Sequence, residues 1–280
     1  MFGRAASNGL WRGGAPSRPS ALYLVCWFLG GILVAFLVIP LVALTLSQSW
    51  GSFAEVARMA DVREAVLLSL EGAFLSASLA ALIGVPLAYG LARTTFPGKT
   101  AVAALIDLPL AVPHTVAGIA LLIAFGRQGV LGAPLQALVG LKFWGTIAGI
   151  VVAMLFVSAP YTVNAARIGF EAVDPRLEKV ARTLGLGPWR TFWRITLPLA
   201  RRSIMTGVTL TYARSISEFG AVVILVYYPM TAPVKIYELF LRFGLDQAAS
   251  AAVLLLLVSL ALFLLLRALA RDSGPPRESR

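Results

Sequence analysis

Six times along this chain an apolar run reaches the roughly 20 residues that a helix needs to cross a bilayer. The runs fall at approximately Ala21–Leu46, Ala65–Leu91, Ala101–Phe125, Gly145–Phe170, Ser203–Tyr228 and Ala248–Leu269. Little else is left to build with: the apolar set AVILMFWYC makes up 59% of 280 residues and charged residues only 13%. Ordinary globular domains carry about 25% charged residues, so no water-facing shell can be assembled. So much apolar surface cannot stay solvated as a disordered chain either. The expectation is an all-α polytopic membrane protein with six transmembrane helices.

The charge is the unusual quantity: 24 Lys+Arg against 13 Asp+Glu, a formal +11. Six spans put both termini on one side, and the cations choose which. The arm 1–20 holds three, residues 92–100 two, the Arg167–Arg202 loop eight and the tail four, 17 in all. The alternate loops hold six, and Arg214 lies inside a span. The positive-inside rule makes the cation-rich face, with both termini, cytoplasmic. Trp50, Trp144, Tyr227 and Tyr228 fall at outer span ends, where aromatic belts form. Residues 1–20, with Arg4, Arg12 and Arg18 among Gly, Ser and Pro, read as a disordered cytoplasmic arm. Residues 21–270 are the transmembrane domain and 271–280 a short cytoplasmic tail. The first run exceeds the ~7–15-residue core of a cleavable signal peptide and is therefore a span. Cys26 has no second cysteine to bond, and His114 stands without the thiols or carboxylates that a metal site needs.

Polar residues inside the runs are few. Pro109 and Pro113 interrupt the third run beside Asp107 and His114. Proline removes a backbone donor, and broken helices at membrane depth occur where they line a cavity or are buried in protein. The segment is either a kink or part of a pathway, in which His114 can donate a hydrogen bond to a passing anion. Arg214 and Glu218 lie near mid-membrane in the fifth run, at i and i+4 on one helix face. Ionisable groups at that depth face a partner or an aqueous cavity. The pair either locks helices together as a neutralised ion pair or stands at a gate that rearranges during alternating access. Glu71 and Asp107 lie near span ends and can snorkel to the interface.

The Arg167–Arg202 loop has internal structure. Asp174 is an N-cap and Pro175 a first helical residue. Leu177, Val180, Ala181 and Leu184 repeat at i, i+3, i+4, i+7, while Arg176, Glu178, Lys179 and Arg182 take the other face. Gly185 stops the helix. A second helix starts at Gly187-Pro188, with Trp189, Phe192 and Trp193 on one face, and Pro198 ends the unit before the fifth span. Two short amphipathic helices suit either a basic surface lying on anionic lipid or a rigid protrusion that docks on a partner. Arg190, Trp193 and Arg194 are the residue types that anchor such interfaces.

From Ala181 the loop reads Ala181, three residues, Gly185, nine residues, Ile195-Thr196-Leu197-Pro198. This resembles the EAA loop of ABC importer permeases, E-A-A, three residues, G, nine residues, I-x-L-P. Lys179 stands where the family has its acid and Val180 where it has the first alanine. Over about Ala60–Arg267 the chain resembles oxyanion permeases of that class. The strings Leu108–Gly118, Asp174–Gly185 and Arg214–Ala221 carry this likeness, and His114 in the first of them points to the tungstate/molybdate branch.

The resemblance implies a type I importer permease fold and a place in the cell (inner) membrane. It implies coupling through 171–198 to two separate ATPase subunits that hold ATP and Mg, with no cofactor on this chain. It also implies an external substrate-binding protein and a homodimer. The Gly98-Lys99-Thr100 string does not complete a P-loop, because the first glycine would fall at Arg93. No paired-carboxylate, nucleophile or metal-ligand pattern marks an enzyme, and the basic charge, being topological, indicates no nucleic acid. Two alternatives stand beside tungstate/molybdate uptake. One is a sulfate or thiosulfate permease. The other is a proton-driven secondary transporter with Asp107, His114, Arg214 and Glu218 as relay, which internal inverted repeats would favour.

Overall fold

The computed structural model describes residues 21–272, and all regular structure among them is helical. The expected arm 1–20 and most of the expected tail 271–280 lie outside the described residues. Two compact units divide the chain, Met1–Ser47 and Gln48–Arg280. In the first, α1 (Ala21–Leu46) is a single apolar helix with Pro40 inside it.

The second unit is built on three helices: α3 (Ala60–Arg93), α7 (Ile147–Glu171) and α10 (Leu197–Ile216). Small residues bring them together, as in membranes generally, where close backbone approach replaces the hydrophobic drive. Along α3 the buried face is Ala65, Ser69, Gly72, Ala73, Ser76, Ala77, Ala80, Gly84 and Ala88. A Cβ at Gly84 would sit 2.9 Å from Val163 of α7, and one at Gly207 of α10 would sit 2.7 Å from Ala165. Hydroxyls then bond across the seam. Ser215 of α10 lies 2.8 Å from Ser158 of α7 and 3.2 Å from Ser76 of α3, and Thr211 lies 2.7 Å from Thr162. All five side chains are buried. Ile150, Met154 and Phe170 of α7 are among the largest fully buried residues, which places the core on this helix.

Length and apolarity alone qualify four helices as spans: α1, α3, α7 and α13 (Leu245–Asp272). A fifth arises if α4 (Lys99–Ala111) and α5 (His114–Phe125), bent by 112° at their junction, count as one. The bend falls where Pro109 and Pro113 forecast it. Val112 precedes a proline and so avoids the helical region, taking φ −81 and ψ 130. The fifth expected run, Ser203–Tyr228, is not one helix. It is α10, a break at Ser217–Phe219, and the six-residue α11 (Gly220–Leu225). Asp107 does not rely on snorkelling, because its Oδ1 accepts a 2.6 Å hydrogen bond from Asn164 Nδ2 of α7.

Before α13, α12 (Ala232–Phe243) and α2 (Trp50–Arg58) each pack against α13, sharing a cluster of Val56, Val62, Leu239 and Ala248. Its buried Lys235 bonds Asp61 Oδ2 at 2.7 Å and Glu238 Oε2 at 2.6 Å, and Arg242 closes on Glu238 Oε1 at 2.7 Å. Lys235 and Arg242 hold the Glu238 carboxyl below the usual carboxylate range. Burial pulls the Lys235 ammonium down, but Asp61 and Glu238 outweigh it and set it above the ordinary lysine value. A depressed carboxylate stabilises above its unfolded value of about 4.3 and loses that as pH falls through its folded value. A raised lysine stabilises below about 10.4 and loses that as pH rises. The cluster is therefore at full strength from about pH 5 to 10. Detergent-solubilised protein is expected to lose melting temperature below about pH 4, and Glu238→Gln is expected to flatten that acid limb.

Candidate functional site: a broken-helix charge cluster and a pedestal loop

Two regions gather the polar residues singled out above. In the first, the two helix breaks meet. A Cβ at Gly118 of α5 would sit 2.9 Å from Ile224 Cβ and 3.1 Å from Ala221 Cα of α11, and one at Gly220 would sit 2.7 Å from His114 Cβ. Only glycine lets the half-helices approach this closely. Pro113 is the residue before α5 and His114 its first member, so the proline-induced turn aims the imidazole at the α10–α11 break. Arg214, three residues before the C-cap of α10, reaches the same point.

The structure brings His114, Arg214 and Glu218 into one cluster. Arg214 Nη2 donates to Glu218 Oε2 at 2.9 Å and lies 2.6 Å from His114 Nε2. Glu218 is not on the helix of Arg214, because α10 has ended. It lies in the break, 1% exposed, where its Oε1 accepts the Ala221 N–H at 2.9 Å and so caps α11. Since guanidinium has only donors, His114 Nε2 must be the acceptor, which puts the ring proton on Nδ1. Nδ1 lies 3.7 Å from Glu218 Oε2. Pro109 is buried in α4 and shapes the bend without joining the cluster. Asp107 is held by Asn164 instead, so the four residues of the expected proton relay are not all joined.

The second region is the loop. Asp174 caps α8 (Pro175–Thr183) through Arg176 N–H at 2.8 Å. Gly185 ends it with φ +87, and Leu186 and Gly185 return N–H bonds to Ala181 and Arg182. This is the glycine-terminated cap expected from sequence. The second helix departs from expectation. It is α9 (Pro188–Thr191), which runs through a π turn at Phe192–Thr196 directly into α10. Pro198 therefore does not end the unit; it sits in the first turn of α10. Within a regular helix its ring would meet the carbonyl of Arg194 and its missing N–H would break the ladder. The wider turn before it absorbs both, with Leu197 N–H bonding Phe192 O five residues back.

The faces of α8 follow expectation only in part: Arg176, Lys179 and Arg182 are exposed and Ala181 is buried, but the acid lies inside and three of the apolar residues lie outside. Glu178, placed by periodicity among the solvated charges, is buried. Its Oε1 accepts from Arg93 Nε at 2.9 Å and from Thr196 Oγ1 at 2.9 Å, while Arg93 Nη2 bonds Val173 O at 3.0 Å. One carboxylate thus ties both arms of the loop to the end of α3. An acid is present in the loop helix after all, one residue before Lys179. Leu177, Val180 and Leu184 point outward, joined by Trp189 at 72% and Trp193 at 51% exposure, whereas Ala181 is buried. Lys179, Arg190 and Arg194 are exposed around them, Ile195 and Leu197 are half-buried, and Pro198 is exposed. Beneath, Phe192 packs edge-on to Tyr89 of α3 at 4.8 Å and lies 6.1 Å from Phe170 of α7. The signal for Glu178 in the sequence was Arg93, a cation at the end of a span with no other acid nearby.

The chain is similar to known proteins. The pattern of the family described as binding-protein-dependent transport system inner membrane component matches residues 80–273. The molybdate/tungstate transport system permease protein WtpB of Thermococcus kodakarensis is 45% identical over 252 residues, covering 89% of this chain and 96% of that one. Its counterpart of the same description in Pyrococcus furiosus is 45% identical over 241 residues, covering 85% and 91%. A chain from the crystal structure of a bacterial ABC transporter involved in alginate import superposes with a TM-score of 0.72 at 18% identity, covering 90% of this chain and 96% of that one. With the family pattern spanning most of its length and two relatives matched nearly end to end, the chain belongs to the inner membrane components of binding-protein-dependent transport systems.

Proposed function

We propose that the chain is the permease subunit of an ATP-driven importer that takes up molybdate or tungstate delivered by an external binding protein. The cargo rests on the relatives described above. The observation that carries the coupling is the exposed apolar row Leu177, Val180 and Leu184 on α8, beside Trp189 and Trp193. Contiguous exposed apolar surface marks an interaction site, and here it is held on a pedestal by Glu178, Arg93 and the Phe192 stack. Residues 171–198 then dock on a separate ATPase subunit, with Trp193, Arg190 and Arg194 as anchors and Lys179 and Ala181 on the docking helix. Gly185 fixes the angle between the two arms. The Ile195–Pro198 turn passes motion into α10, which begins in the loop and carries Arg214 in its last turn. Nucleotide binding and hydrolysis fall to the ATPase subunits.

Six spans in the cell membrane complete the reading: α1, α3, α4–α5, α7, α10–α11 and α13, with both termini cytoplasmic as the cation distribution requires. The domain is 21–270, preceded by the arm 1–20. One loop per chain and paired ATPase subunits make the working unit a homodimer. Pro109, Pro113, His114, Arg214 and Glu218 stand on the translocation pathway, where broken helices and paired charges belong.

Adding molybdate, tungstate or sulfate with the binding protein to the reconstituted transporter and measuring ATP hydrolysis tests the cargo. Stimulation by molybdate or tungstate well above sulfate is expected, and stimulation by sulfate alone would replace the cargo. Glu218→Gln is expected to uncouple the cycle, lowering uptake per ATP about tenfold. Unchanged uptake per ATP would remove Glu218 from the pathway.

A further inference from the structure

The charge cluster is asymmetric. Glu218 is 1% exposed and fixed at both oxygens, by the Ala221 N–H and by Arg214. Arg214 is 23% exposed at its side chain and His114 45%, so the cation and the imidazole face open space while the acid lies beneath them. Donor use is equally uneven. Arg214 Nη2 serves both His114 and Glu218, whereas Nη1 has only a 3.4 Å contact to Ser217 Oγ. A guanidinium that existed only to neutralise a buried acid would present its fork to the carboxylate; this one spends a single nitrogen on it. A planar fork with spare donors is the side chain best matched to a tetrahedral oxyanion. His114 lies beside the guanidinium, its Nε2 2.6 Å from Arg214 Nη2. The amino terminus of α5, which no side chain caps, turns the same sign of partial charge to the spot.

We infer that Arg214, with His114 beside it, is a transient ligand for the tetrahedral dianion in transit, and that Glu218 is the built-in competitor that takes the guanidinium back and releases the anion. The inference rests on the oxyanion-permease reading and deepens it. One cation paired with one carboxylate leaves the site near neutral, so a dianion meets oriented donors without a net positive trap. Conduction demands this, because binding must be strong enough for entry and weak enough for exit. Glu218 keeps the Ala221 N–H of α11 while Arg214 turns, so the exchange needs only a side-chain rotation, and the buried carboxylate left without its cation draws the guanidinium back.

The test uses the full transporter with its ATPase subunits and binding protein in proteoliposomes, with molybdate as probe. Arg214→Gln alone strands a buried carboxylate, so the informative variant is R214Q/E218Q, whose two amides can hydrogen-bond to each other. Co-elution with the ATPase subunits reports its assembly. Molybdate delivered per ATP is expected to fall about tenfold or more in this variant, with Arg214→Lys intermediate because charge survives and the fork does not. In Glu218→Gln the concentration of internal molybdate that halves uptake is expected to drop about tenfold, because the competitor is gone. Delivery by R214Q/E218Q within about twofold of the unaltered protein would show a brace between helices and overturn the inference. Absence of ATP-driven molybdate uptake by the unaltered transporter would overturn the oxyanion reading itself, and this inference with it.

Discussion

Trp193→Ala is expected to leave the helices folded and to abolish most ATP-driven uptake. The indole is 51% exposed, and its ring partners among the described residues are Trp189 and Phe192, at 5.9 and 5.5 Å between ring centres. Phe192, which joins the loop to Tyr89 and Phe170, does not depend on it for position. Truncation therefore costs the fold little and removes one of the two tryptophans of the docking face. Anchors of this kind carry about 2 kcal/mol or more, roughly a 30-fold loss of affinity. Titrating purified ATPase subunits onto the solubilised permease measures this directly, and Trp193→Phe should recover part of the loss. Wild-type affinity and uptake in Trp193→Ala would place the motor elsewhere.

Glu178→Leu is expected to have the opposite signature: ATPase subunits still bind, but hydrolysis no longer drives uptake. The substitution strips Arg93 Nε and Thr196 of their shared acceptor. Removing one member of a buried pair costs about 3 kcal/mol, chiefly from the charge left behind. Water reaching Arg93, whose side chain is 13% exposed, softens that figure. The latch between loop and α3 opens, so α8 can tilt on its partner without moving α10. Trypsin should cut faster at Arg176 and Arg182, and uptake per ATP should fall. Glu178→Gln keeps an acceptor for both donors and should retain more coupling. Adding Arg93→Met to Glu178→Leu removes the stranded charge and should restore the resistance to trypsin.

Much of this was legible in the residues. Apolar run length located most of the long helices, Pro109 and Pro113 marked the interruption of the third run, and Asp174 and Gly185 bounded α8 because caps and positive φ are local properties. What escaped depended on distant partners. Helical periodicity assigns a face as apolar but cannot say whether that face turns toward its own chain or toward another. Glu178 goes inside because Arg93, 85 positions earlier, waits there. Pro198 reads locally as a stop, yet a π turn five residues wide lets the helix continue through it. Arg214 and Glu218 were paired correctly but for the wrong reason: i and i+4 on one helix presupposes a helix that ends at Ile216. The hydroxyl seam of Ser76, Ser158 and Ser215 was invisible for the same reason, since serines on three separate helices share no local pattern.

Uptake through this chain is proposed to be driven by ATP hydrolysed on a separate subunit. The direct measurement is radiolabelled molybdate uptake into proteoliposomes containing the permease and binding protein, with and without the ATPase subunits, ATP and an imposed proton gradient. Uptake that requires both ATPase and ATP, ignores the gradient and disappears in Trp193→Ala is the predicted result. Uptake by the permease without ATPase, following the proton gradient, would contradict it.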